Sequence, residues 1–257
     1  MARPTLIDDA SETEVIAVAS GKGGVGKSTV AVNVARALAK RGYRAGIMDA
    51  DIYGFTVPKL LGIQGRPEAN ENGIEPMESQ GLQVMSMGFF VDDTMPLIWR
   101  GPLLIKAVDQ FVNEVHWDTD LDYLVIDLPP GTGDVPLTVA QTLPRASLLL
   151  VTLPELSSVK VASRAGNMAR QTETEIIGVV ENMSYMTCPE CGESFYPFGR
   201  DGGQLLAEQL EIPLLARVPM DPHLGSDREG AGLLVDRSDS AAGSALLELA
   251  VRLTRGS

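Results

Sequence analysis

VIAVASGKGGVGKS, residues 15–28, decides how the rest of the chain is read. The apolar run VIAVAS (15–20) enters a glycine-rich turn that closes on Lys27 and Ser28, and a helical pattern over 28–41 follows at once. G-x-x-x-x-G-K-[ST] between a strand and a helix has a physical purpose. Its glycines let successive backbone N–H groups turn inward around an anion, and the helix N-terminus adds partial positive charge. The stretch Gly21, Lys22, Gly23, Gly24, Val25, Gly26, Lys27, Ser28 and Thr29 is therefore read as a nucleotide phosphate site. Lys27 is expected at the β- and γ-phosphates and the Ser28 hydroxyl on Mg²⁺. A plain glycine turn is the alternative, and the complete motif in its strand–helix setting outweighs it.

Outward from this loop, apolar runs alternate with helical patterns to the end of the chain. The runs are AGIMD (45–49), LQVMSM (82–87), DYLVID (122–127), SLLLVTL (147–153), IIGVVEN (176–182) and LLARVP (214–219). Helical stretches lie near 103–115, 135–142, 157–171, 202–210 and 240–254, and Gly42 marks the end of the first helix. This rhythm predicts an α/β fold, a mostly parallel doubly wound sheet with helices on both faces. One domain over 15–257 is expected after a short flexible arm, 1–14, since 257 residues suit a single core. Three segments break the rhythm: 54–81, read as a loop excursion; LPPGTGD (128–134); and MSYMTCPECGESFYPFGR (183–200), an insertion after a strand. In open α/β sheets chemistry gathers beyond the carboxyl ends of strands, where these segments begin.

Composition narrows the function. Apolar residues make up 44% of the chain and no apolar run approaches a membrane span. The formal charge of −13, from 21 basic and 34 acidic residues, disfavours a broad footprint on nucleic acid or anionic lipid. The polar start, MARPTLIDDASETE, does not read as a signal peptide, so a cytoplasmic protein is expected. In that reducing compartment Cys188 and Cys191, the only cysteines, are read as a metal or redox pair rather than a disulfide.

Three further residues belong to the phosphate chemistry. Asp127, at the carboxyl end of DYLVID, is the expected second Mg²⁺ anchor, acting through a water. Asp51, just past the second strand in DADIYG, is a candidate for orienting an attacking water. Lys22 occupies a position the motif leaves free. An exposed loop lysine is the plain reading, yet a second lysine could place charge on the γ-phosphate from a facing subunit.

GKGGVGKS with Lys22 resembles the deviant phosphate loop of dimeric ATPases related to MinD, ParA and the nitrogenase iron protein. Within that group the chain resembles the Mrp/ApbC family of iron–sulfur cluster carriers. The resemblance lies in GKGGVGKSTV (21–30), DADIYG (49–54), WRGP (99–102), WDTDLDYLVIDLPPGTGDVPLT (117–138), VVENMSY (179–185) and CPECG (188–192). It implies that Lys22 contacts nucleotide across a homodimer interface while Lys27 and Ser28 act within the subunit. Asp49 and Asp51 fall in a first switch, and Asp127, Gly131 and Asp134 in a second. Asn182 matches an adenine-reading position, and the loop at Pro219 and Asp221 one that covers the base. Cys188 and Cys191 match a pair that holds a [4Fe-4S] cluster shared between subunits. Phe55 departs from the family pattern, where many relatives have proline.

The residues alone leave the metal open. A CxxC turn offers two thiolates, and tetrahedral sulfur coordination suits Zn²⁺ as well as iron–sulfur clusters. Neither His116 nor His223 has ligand spacing to the pair, so a two-fold dimer would complete four donors. A thioredoxin-like dithiol is a third option that Pro189 and Gly192 disfavour. The leading expectation is an ATPase homodimer that binds ATP, Mg²⁺ and a [4Fe-4S] cluster, takes the cluster from an assembly scaffold and passes it to apo-proteins, without nucleic-acid or membrane partners. A positioning or partition ATPase and a zinc-stabilised ATP-switch dimer are the alternatives. The C-terminal SALLELAVRLTRGS is expected to pack on the sheet rather than bind a membrane.

Overall fold

The computed structural model describes residues 12–51, 54–70, 73–90, 101–118, 120–131, 145–171, 173–221 and 233–254, without the side chains of 101–104. In chain order the strands are β1 (Glu14–Ser20), β2 (Ala45–Asp49), β3 (Ala69–Asn70), β4 (Gly73–Ile74), β5 (Met77–Ser79), β6 (Leu82–Ser86), β7 (Tyr123–Asp127), β8 (Ala146–Thr152), β9 (Ile176–Asn182), β10 (Met186–Thr187), β11 (Ser194–Phe195) and β12 (Leu214–Val218). The described helices are α1 (Lys27–Lys40), α2 (Val57–Leu60), α3 (Gly101–Glu114), α4 (Leu156–Gln171), α5 (Gly202–Gln209) and α6 (Ala241–Thr254).

Eight strands form one sheet in the order β12-β9-β8-β1-β7-β2-β6-β5. All neighbours are parallel except the edge strand β5, which pairs antiparallel with β6. Successive residues of a strand point to opposite faces, and Val15 to Ser20 in β1 and every residue of β2 and β7 are buried. Both faces of the central sheet are therefore covered, which is why these strands read as continuous apolar runs. α1 packs with α6, and α4 with α5. The apolar face of α6, with Leu246 and Leu249 fully buried, lies against β12 and α1, as expected for a packing helix.

The segment 54–81 departs from the expected loop. It contains α2, the small β3–β4 hairpin and β5. Glu14, assigned to the arm by sequence, opens β1, and Thr13 is buried with its hydroxyl donating to Leu121 O at 2.8 Å. The helix expected over 135–142, Asp134, His223 and the first two residues of WRGP lie outside the described residues. Gly42 adopts φ 91° immediately after α1, the left-handed conformation that ends the helix.

Two substitutions separate packing from backbone strain in α1. A Cβ at Gly42 would meet nothing within 4 Å, so Gly42→Ala should cost only the left-handed conformation, about 1–2 kcal/mol. Leu38→Ala empties a fully buried site and should cost about 2–5 kcal/mol. Urea unfolding measures both, and equal losses would contradict this division.

Candidate nucleotide site and thiol hairpin

β1 lies between β7 and β8, so its carboxyl end opens at the centre of the sheet. From there the chain turns through the glycine loop into α1. Gly24 and Gly26 both have φ 80°, and Gly26 precedes the first turn of α1 in the left-handed conformation. A Cβ on Gly26 would overlap the Asn182 amide, and one on Gly21 would lie 2.6 Å from backbone atoms of Val161 and Ala162 in α4. Close approach requires glycine at both positions, and at Gly26 the left-handed conformation requires it as well.

Parallel strands deliver their carboxyl ends to one edge, and the site's acids arrive there together. Asp49 closes β2, Asp127 closes β7, and the two are direct neighbours in the strand register. Lys27 reaches back from α1 and is 5% exposed. Its ammonium lies 2.5 Å from Asp127 Oδ1 and 3.2 Å from Asp51 Oδ2. Asp49 organises the loop that carries Asp51. Its Oδ1 accepts from the Asp51 N–H at 3.1 Å, and its Oδ2 accepts from the Ser86 hydroxyl at 3.1 Å and the Val57 N–H at 3.3 Å. Ser86 lay outside the sequence reading, because nothing in LQVMSM distinguishes a hydroxyl aimed at a carboxylate on the next strand.

Burial, and then the adjacent Asp127 carboxylate, push the Asp49 carboxyl well above its ordinary range. Burial also raises Asp127, against the opposing pull of Lys27 and a hydrogen bond from Ser28. Asp127 Oδ2 is a buried oxygen with no hydrogen-bond partner. An orphaned carboxylate oxygen beside a serine hydroxyl, at the mouth of a phosphate loop, is a donor set that fits Mg²⁺ or its bound water. Gly131 also belongs to this edge: its N–H donates to Ser20 O at 3.0 Å, which ties LPPG to the entry of the glycine loop.

Lys22 points elsewhere. Its ammonium pairs with Glu155, at the start of α4, and lies 3.4 Å from the Ser157 hydroxyl. Hydrogen bonds from Lys22, Ser157 and Ser158 lower the Glu155 carboxyl to about 2. Sequence reasoning missed Glu155, which lies 133 residues from its lysine.

The residues expected at the base, Asn182, Pro219 and Asp221, lie at the carboxyl ends of β9 and β12, the strands at one end of the sheet. The Asn182 amide donates to Val25 O in the glycine loop at 2.9 Å. Val218, immediately before Pro219, is Asn182's register neighbour, and Asp221 accepts from the Ser240 hydroxyl at 2.6 Å. Directly after β9 the chain forms the β10–β11 hairpin, and its tip carries both cysteines. Cys188 is half-buried and Cys191 exposed, both as free thiols. The backbone N–H groups of Cys191 and Glu190, and then the Cys191 side chain, hold the Cys188 thiol below its ordinary range. Among the described residues no three His, Cys, Asp or Glu side chains gather as a metal site. The hairpin of one chain therefore presents two soft donors.

Lys27 compensates buried negative charge at this edge. Lys27→Met should destabilise the protein by about 3 kcal/mol, the low end for breaking a buried pair, because Asp127 can take up a proton. Urea unfolding without added nucleotide at neutral pH checks this, and an unchanged midpoint would contradict it.

Known proteins resemble this chain in sequence and in fold. Residues 11–254 match the family model described as ParA, the NUBPL iron-transfer P-loop NTPase. An iron–sulfur cluster carrier protein of Bacillus subtilis is 49% identical over 218 residues, covering 85% of this chain and 62% of the relative. The iron–sulfur cluster transfer protein NUBPL of Mus musculus is 41% identical, covering 94% of this chain and 77% of that protein. The chain thus spans less than two thirds of the Bacillus protein. Among solved structures, a nucleotide-binding protein from Archaeoglobus fulgidus, in complex with ADP and with cobalt, superposes with TM-score 0.76 at 38% identity, covering 89% of this chain and 90% of its own. The cell-division ATPase MinD of Pyrococcus furiosus, at 22% identity and TM-score 0.70 over 95% of this chain and 99% of its own, shares the fold. With the glycine loop, the paired acids and the thiol hairpin inside the matched span, this chain belongs to the NUBPL iron-transfer P-loop NTPase family.

Proposed function

We propose that the chain is an ATP-binding and slowly hydrolysing homodimer that holds a [4Fe-4S] cluster between its two copies and passes it to apo-proteins. The cluster is cargo, received from an upstream assembly scaffold. The half-site carries this reading: Cys188 and Cys191 are the chain's only thiols, and they sit at the tip of a hairpin open to solvent. A cluster takes four thiolates, and a two-fold axis beside the hairpin supplies them as two identical pairs. Four thiolates would also suit zinc, and the names of the relatives favour the cluster.

The nucleotide chemistry follows from the acids and lysines. Lys27 would exchange its carboxylates for the β- and γ-phosphates. Ser28 and Asp127 would hold Mg²⁺, which neutralises charge on the phosphate oxygens. Asp51 would orient water, with its backbone N–H fixed by Asp49. Lys22 would leave Glu155 to reach the nucleotide of a facing copy, and Leu156, 65% exposed beside that pair, suits burial in such an interface. The loops after β2 and β7, including Asp134, would serve as switches that join nucleotide state to subunit packing.

Anaerobic reconstitution followed by iron, sulfide and zinc analysis tests the cargo. The wild type should carry about four iron and four sulfide per dimer, and Cys188→Ala should lose them. Zinc without sulfide in the wild type would sink the carrier reading. Lys22→Ala should bind ATP normally and hydrolyse it at least about tenfold more slowly. Turnover at the wild-type rate would remove the lysine's role across the interface.

A further inference from the structure

We infer that residues Asn182–Met186 form a strap through which the base end of the nucleotide sets the reactivity of the thiols, and that Glu181 is its positioning residue. This rests on the ATP-dependent reading above and names the route within it.

Only residues 183–187 separate Asn182 from Cys188. At one end Asn182 grips the glycine loop through Val25 O, and Gly26 leaves the room this contact needs. The next residues are bound to the loop expected over the base. The Ser184 N–H donates to Val218 O at 2.9 Å, and Tyr185 O accepts from the Met220 N–H at 2.7 Å. Met183, between Asn182 and Ser184, has φ 52°, so the strap turns sharply out of β9. Base-side elements therefore hold it from both β9 and β12 before it enters the hairpin.

Glu181 ties together the two legs of that hairpin. Its side chain is 1% exposed and takes no part in the nucleotide chemistry described above. One carboxylate oxygen accepts from the Ser184 hydroxyl at 2.5 Å, on the incoming leg. The other accepts from the Gly203 N–H at 2.6 Å, at the start of α5, where the chain returns. The Arg217 guanidinium on β12 lies 3.6 Å away and also reaches Asp201, next to that helix start. A Cβ at Gly203 would lie 2.5 Å from Glu181 Cβ, so α5 approaches this closely only through glycine. Higher up, the Tyr185 and Tyr196 rings meet across the hairpin at 6.3 Å, and Arg200 covers Tyr196 at 3.7 Å. A displacement of Asn182 is thereby carried to both legs together rather than lost in a loose loop. A buried carboxylate is costly to keep, and here its hydrogen bonds fix a geometry.

Alkylation of Cys188 and Cys191 by iodoacetamide in the full, metal-free chain provides the test, with ATP binding measured in parallel. Saturating Mg-ATP should change the wild-type rate by about fivefold or more, the low end of coupling between linked sites. Mg-tripolyphosphate, at concentrations that compete ATP away, should leave the rate unchanged. Glu181→Gln, and the milder Ser184→Ala, should bind ATP with wild-type affinity while losing most of the ATP response. The proposal is overturned if ATP binds without altering the wild-type thiols, if tripolyphosphate reproduces the ATP effect, or if both variants keep the full response. Absence of ATP binding by the wild type would instead overturn the underlying ATP-dependent reading.

Discussion

One ammonium group among buried carboxylates governs the centre of this molecule. Lys27 lies within hydrogen-bonding distance of Asp51 and Asp127, and Asp49 is Asp127's register neighbour one strand away. Parallel topology makes this crowding unavoidable, because β1, β2 and β7 all end on the same edge. One positive charge cannot compensate three acids out of water, so burial raises the carboxyls of Asp49 and Asp127. Asp49 is accommodated by hydrogen bonds from Ser86 and the following loop, while Asp127 keeps an oxygen without a partner. Such an edge is poorly optimised for stability alone and well suited to accept another cation together with phosphate.

The two ends of the proposed nucleotide site fall to different strands. The glycine loop, Asp51 and Asp127 lie around β1, β2 and β7, whereas Asn182 closes β9 and the Pro219–Asp221 segment follows β12. The thiol hairpin is inserted into the connection that carries the chain from β9 through α5 to β12. Its position in the topology places it beside Asn182 and the end of β12, the proposed base side. Any nucleotide-dependent change in the thiols has a short path there, built from backbone hydrogen bonds and one buried carboxylate.

Much of this was legible before the fold was known. All seven apolar runs became strands: those at the centre of the sheet are buried on both faces and so are apolar throughout, while the edge strand β12 is only partly buried. Lys27, Ser28 and Asp127 were legible because each sits at a strand or helix boundary in a local motif. The segment 54–81 was less transparent: its strands have only two or three residues, too few for a pattern, and β5 is held by β6 rather than by its own sequence. Phe55, which stood out as a departure from the family, packs against Gly88 beyond β6. A Cβ there would come within 2.7 Å of Phe55.

The sequence by itself determined the alternation of strands and helices, the phosphate loop and the presence of two thiols, since these depend on neighbours within a few positions. Only the tertiary structure decided that Lys22 meets Glu155, that Ser86 holds Asp49, and that Glu181 joins both legs of the thiol hairpin. Those contacts join side chains brought together by sheet order and close glycine packing, and a single polar residue carries no local signal of which distant partner burial will press against it.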